Sequence, residues 1–291
     1  MTPVLLRINS TGRTGSSYLY HYFKFIGYES YHENFREFLP IQSEVYNFFQ
    51  AEIMEIWNTS TVDFYKLNKN VSFPNLYSNV LQKRFFYQKL LLKRTKLLID
   101  TDNTTTPSTL MLLEKLSECG LSFKGITLFR NPFKTIHSIY LVERAGGYLY
   151  RARSIFSSSD NVVRAAEIWH STYKMCIDFE KMHSEKFFRL NVEDFNSNID
   201  LIRSLYDFIG VHFDLVRYKE FIQQDRVSSA TTNSIRNSDL HHSFEFVFNS
   251  EELDKIEISV SSTALALGLD IKEERRKYVD FHKNRLGHIS R

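Results

Sequence analysis

The opening residues constrain the chain most. Pro3 to Ile8 (PVLLRI) is a short apolar run that predicts a buried strand. A polar turn with two glycines follows, from Asn9 through Gly12, Arg13 and Gly15 to Ser17. Tyr18 to Ile26 (YLYHYFKFI) then predicts a helix that stops near Gly27, a residue suited to a helix C-cap. Strand, glycine loop and helix in that order begin a parallel α/β sheet and leave a helix N-terminus aimed at an anion.

The alternation continues along the chain. Helical stretches at Ile41–Trp57 and Val80–Arg94 precede a second buried strand, Lys96–Ile99 (KLLI), which closes on Asp100. Pro107–Cys119 reads as helix and Gly125–Phe129 (GITLF) as strand. Helices at Phe133–Arg144 and Asn161–Met182 lead to the strand Lys186–Leu190 (KFFRL). Asn198–Ile209 is helical and stops at Gly210, and the tail from Ser250 is mostly helical. Strands separated by helices predict a three-layer α/β fold with a mostly parallel central sheet and helical insertions. No linker or internal repeat divides residues 1–291, so one domain is expected.

Composition narrows the classes of function. The chain has 291 residues, of which 43% are hydrophobic and 24% charged, as in globular proteins rather than disordered ones. Lys plus Arg number 37 against 34 Asp plus Glu, and the net charge of +3 is too small for a nucleic-acid coat, although it allows a local anion pocket. The only two cysteines, Cys119 and Cys176, lie in apolar periodic segments and read as buried thiols. They cannot build a zinc knuckle, and no HExxH pattern occurs, so no metal site is expected. No apolar run approaches the ~20 residues that span a bilayer, and no signal peptide opens the chain, which predicts a cytoplasmic protein.

The first loop is not a Walker A motif. GxxxxGK[ST] needs a glycine where Ser10 stands and a lysine where Ser16 stands. What remains is Arg13 followed by Thr14, Gly15, Ser16 and Ser17, small residues whose N–H groups and hydroxyls suit one anionic group, or simply cap a helix. A second constellation follows the strand GITLF: Arg130, Asn131 and Pro132, then a helix bearing Ser138. Open α/β sheets bind ligands at the carboxyl ends of their strands, which is where Arg130 falls. Ser138 lies about two turns into the helix if Pro132 occupies its first turn, so Arg130 and Ser138 can flank one phosphate.

Together these motifs resemble the sulfotransferases that use 3′-phosphoadenosine-5′-phosphosulfate (PAPS). That family's R-x-G-[ST]-[ST] loop for the 5′-phosphosulfate is matched by Arg13, Thr14, Gly15, Ser16 and Ser17. Its R-[DN]-P motif for the 3′-phosphate is matched by Arg130, Asn131, Pro132 and Ser138. Leu190–Phe195, with the helix end Phe208–Val211, is similar to the family's Y-E-D-L strand exit and F-L-G-V helix end. Asp100–Pro107 resembles its E-K-T-P turn, with the lysine replaced and Asp102 nearby. The family's late R-K-G loop has a loose counterpart in Asn233–Asn237, where Arg236 would reach the nucleotide, and its adenine-stacking tryptophan has no equivalent.

The resemblance implies a P-loop-like fold, PAPS as donor and a hydroxylated carbohydrate or small molecule as acceptor, with neither nucleic acid nor metal needed. Arg13 would offset charge on the bridging oxygen. Always protonated, it acts electrostatically and not as an acid. The acceptor's base would be Glu33, with His32 as the alternative, both in the segment after the first helix that reads as strand then loop. The rival readings are a P-loop small-molecule kinase and a non-catalytic nucleotide-binding module. His241–His242, lacking a third ligand, and the arginines Arg144, Arg151 and Arg153 read as solvated loop residues.

Overall fold

Every apolar run read as a strand, within the residues that the computed structural model describes (4–11, 13–31, 97–101, 122–144, 160–223, 247–289 and single positions from 105 to 117), joins one sheet. The strands are β1 (Val4–Asn9), β2 (Glu29–Tyr31), β3 (Leu97–Asp100), β4 (Ser122–Phe129) and β5 (Phe187–Asn191). Their order is β2-β3-β1-β4-β5, and all four pairings are parallel. The sheet is thus the parallel core of the expected α/β fold.

Seven α-helices occur among the described residues: α1 (Ser16–Phe25), α2 (Pro132–Arg144), α3 (Asn161–Met182), α4 (Ile199–Ile209), α5 (Leu215–Gln223), α6 (Ser250–Ala266) and α7 (Ile271–Ile289). Their starts follow local chemistry. Asp160 Oδ1 accepts from the N–H groups of Val162 and Val163 at 2.8 and 3.3 Å and opens α3. Asn198 caps α4 through the N–H of Leu201, and Asn249 with Glu252 forms a capping box at α6. The helical stretches expected at 41–57 and 80–94 lie outside the described residues.

Period-2 alternation assigns each strand residue to a face. Leu6, Ile8, Leu97, Ile99, Ile126 and Leu128 pack with α1, α4 and α5. On the other face α3 covers the sheet, joined by α2, α6 and α7 in a second apolar cluster that includes Phe129, Ile139, Trp169 and Tyr278. Helices therefore cover both faces, giving three layers. The adjacent strands β1 and β4 send α1 and α2 to opposite faces, and that divergence opens a crevice at their carboxyl ends, where such sheets bind ligands.

Four strands differ from the sequence reading by their pairing: β1 takes in Asn9, opposite Thr127, and β3 takes in Asp100, opposite Arg7, while β4 and β5 shift at their starts or ends. Lys186 belongs to a short 3-10 turn (Ser184–Lys186), and β5 instead extends to Asn191, which pairs with Phe129. β4 begins earlier than Gly125 because Ser122 already pairs with Val4.

Candidate functional site

The loop after β1 is held at its start by the 105 segment. Ser10 N–H donates to Thr105 Oγ1 at 2.8 Å, and Thr105 N–H donates to the carbonyl of Ser10 at 2.8 Å. Two described residues of the loop are left-handed, Arg13 with φ 58° and Gly15 with φ 100°. Gly15 is needed twice over, since a Cβ there would also stand 2.8 Å from Val192 Cγ2. The chain then turns directly into α1. Gly15 at its N-cap has no side chain to cap it, and its first turn contains no acidic residue, so its N-terminal dipole is not offset by a carboxylate of that turn. Thr14 is fully buried, and its hydroxyl has no hydrogen-bond partner among the described residues.

The loop after β4 is built around the start of α2. Asn131 caps the helix by accepting the N–H of Lys134 at 3.0 Å, and its own amide donates to the Glu274 carbonyl of α7 at 2.7 Å. Pro132 takes the first helical position, where a missing N–H costs nothing. Arg130 folds back on this turn, donating from Nε to Thr135 Oγ1 and from Nη2 to the Lys134 carbonyl, both at 3.1 Å. Both acceptors are neutral. Burial and then the nearby charge of Arg13 push the Arg130 pKa down to about 10, against a weaker opposing pull from Glu193.

The two loops meet through Arg13, whose Nε donates to Ser138 Oγ at 3.0 Å across the crevice. Ser138 thus engages the arginine of the first loop, where the sequence pairs it with Arg130. The exit of β5 closes the third side. Val192 presses on Gly15 and donates its N–H to the Phe129 carbonyl at 2.8 Å, while Glu193 forms an ion pair with Lys134 at 2.7 Å. Three of the segments that carry the sequence resemblance, Arg13–Ser17, Arg130–Ser138 and the exit of β5 at Val192–Glu193, therefore meet at one crevice, whereas the helix end at Phe208 lies by Lys124, toward the other end of β4.

Sequence reasoning missed the floor of this site. Arg7 and Asp100, each 2% exposed, form an ion pair at 2.6 Å beneath the loops. Tyr173 of α3 donates to the Leu128 carbonyl at 2.7 Å and bonds Thr11, which ties the helix to both strand ends. The same helix buries Cys176, whose thiol is pushed up to about 12 by desolvation and is inert as a nucleophile. A lone arginine inside the apolar run PVLLRI was the available signal for this floor.

Arg13, Thr14, Gly15, Ser16 and Ser17 lie along one wall, and Arg130 and Ser138 lie on the facing one. Glu33, His32 and Arg236 lie outside the described residues, as do Cys119, Arg151, Arg153 and His241–His242; β2 ends at Tyr31, the residue before His32 in sequence. Arg144 is the last residue of α2. Among the described residues no group of three or more His, Cys, Asp or Glu is placed to hold a metal, and no helix is long and apolar enough to cross a membrane.

No family model matches this chain, and no curated protein matches it. Among solved structures the chain is similar to the sulfotransferase domain from the Synechococcus PCC 7002 olefin synthase, at 17% identity and a TM-score of 0.48, over 89% of this chain and 94% of that one. It is also similar to the sulfotransferase domain from the curacin biosynthetic pathway, at 17% identity and a TM-score of 0.47, over 90% of this chain and 98% of that one.

Proposed function

We propose that the chain is a sulfotransferase that moves a sulfuryl group from PAPS to a hydroxyl of a carbohydrate or small-molecule acceptor. One observation carries the reading. Arg13 and Arg130 stand close enough to oppose each other's charge, and neither forms an ion pair with a carboxylate among the described residues. The partly desolvated Arg130 beside a second cation is costly until an anion joins it. A 3′-phosphate is such an anion, with Arg130 and Ser138 as its ligands. The fully buried Thr14 hydroxyl and the α1 N-terminus suit the second anionic group, the 5′-phosphosulfate.

In this reading Gly15, Ser16 and Ser17 hold the phosphosulfate with backbone N–H groups. Arg13 offsets the charge that develops on the bridging oxygen as its bond to sulfur breaks. Glu33, or His32 in its place, takes the proton of the acceptor hydroxyl while the new S–O bond forms, and adenosine 3′,5′-bisphosphate leaves. Arg236 is an added ligand of the nucleotide. The donor's chemistry needs no metal when Arg13 performs this task.

Asp100 speaks against the kinase alternative. It ends β3 beside β1, where P-loop kinases and ATPases keep a magnesium-binding aspartate, but here Arg7 occupies its Oδ2. The test is transfer of labelled sulfate from PAPS to a panel of hydroxylated acceptors, run beside transfer of labelled phosphate from ATP with magnesium. Sulfated product supports the reading. Phosphorylated product without sulfated product overturns it, and tight bisphosphate binding with no product from any acceptor makes the chain a binding module.

A further inference from the structure

We infer that Thr135 is a positioning residue that sets the orientation of Arg130 and so the site's preference for a nucleotide carrying a 3′-phosphate, an inference that rests on the proposed function. A threonine hydroxyl has one proton to donate, and Thr135 gives it to the Asn131 carbonyl at 3.1 Å. Its lone pairs are then the groups that face Arg130, and Nε donates to them at 3.1 Å. The Lys134 carbonyl takes Nη2 from the same turn. One edge of the guanidinium, Nε with Nη2, is therefore turned to the helix. Of five N–H donors two are engaged, and the three that remain lie on Nη1 and Nη2. Arg130 thus meets a ligand end-on, with its plane fixed beforehand.

Thr135 is fully buried and one turn from Asn131, which is itself anchored to α7, so the hydroxyl cannot drift with a surface side chain. A threonine here is not required by the helix. Residue 135 closes the first turn through its N–H, which donates to the Asn131 carbonyl at 3.1 Å whatever the side chain. That backbone bond means valine, of the same shape, removes the hydroxyl without orphaning the carbonyl. Released from Thr135, Nε turns toward the crevice, and the guanidinium loses its preset plane.

Calorimetric titration of adenosine 3′,5′-bisphosphate and AMP into wild type, Thr135→Val and Thr135→Ser tests this. Thr135→Val is expected to weaken bisphosphate binding about three- to tenfold, as for one long side chain that must then be immobilised on binding, while changing AMP binding less than twofold. Thr135→Ser, which keeps the hydroxyl, is expected to stay within about twofold of wild type for both ligands. If Thr135→Val does not fold, Thr135→Ala carries the same expectation. A wild type that prefers the bisphosphate, with a valine variant that keeps the preference or weakens both nucleotides equally, overturns the role of Thr135. A wild type that binds both nucleotides alike overturns the functional reading beneath it.

Discussion

Arg13 holds a left-handed backbone, φ 58°, that a residue of its size seldom adopts, and it spans the crevice to Ser138. Strain of this kind persists where the surroundings over-determine the conformation, and it gathers at functional sites. The Arg13→Ala variant keeps the backbone demand and removes the guanidinium with its stem beyond Cβ. Its turnover is expected to fall on the order of 10²–10³-fold, as for a lost electrostatic stabiliser, with the acceptor KM little changed. Steady-state sulfate transfer checks this, and near-normal turnover in a folded variant refutes the role. Arg13 was legible because a charged residue inside a small-residue glycine loop has few other uses. Thr135 was not, because nothing in R-N-P-F-K-T distinguishes a guanidinium partner from an ordinary first-turn threonine. Arg7 was hidden in the same way, inside an otherwise apolar strand.

At the scale of elements, the described strands and most of the described helices followed from apolar periodicity, α5 being an exception, while the ends of several were set by partners that the local sequence does not show. Asp160 announces α3 because a cap acts on its own chain. The ends of β4 and β5 depend instead on cross-strand register, which places Phe187 opposite Gly125. The ring lies across the glycine, so a Cβ at 125 would stand 2.1 Å from Phe187 Cε1. Gly125→Ala is expected to destabilise the fold by about 1–3 kcal/mol through overpacking. The urea midpoint should drop with an unchanged m-value. Adding Phe187→Leu should recover part of the loss, and a full loss in the double variant would show that the ring is not the cause.

The whole molecule shows what composition and pattern leave open. Alternating strands and helices imply a parallel sheet, but the order β2-β3-β1-β4-β5 follows from which crossovers pass over β1, a choice made by tertiary packing. The docking of α7 was equally hidden. It rests on His137 of α2, whose Nδ1 shares a hydrogen bond with Tyr278 Oη at 3.1 Å beside His282. Burial, then His282 and Arg130, push the His137 pKa down to about 4. The unfolded chain takes up this proton near pH 6.5, before the folded one does, so stability is complete above that pH and is lost as pH falls toward 4. The loss from this group should reach about 3 kcal/mol. Melting temperatures of wild type and His137→Gln between pH 7 and pH 4 should converge as the pH falls, and parallel curves would contradict the assignment.

The proposed function makes the crevice between β1 and β4 the site of a nucleotide with two separate anionic groups. Calorimetric titration of wild type with adenosine 3′,5′-bisphosphate and with AMP, in the absence of magnesium, tests it most directly. Hydrogen bonds to charged groups contribute about 1.5–3 kcal/mol, so the ligands that Arg130 and Ser138 offer a 3′-phosphate should make the bisphosphate bind roughly ten- to hundredfold more tightly. Equal affinity for the two nucleotides would contradict the account.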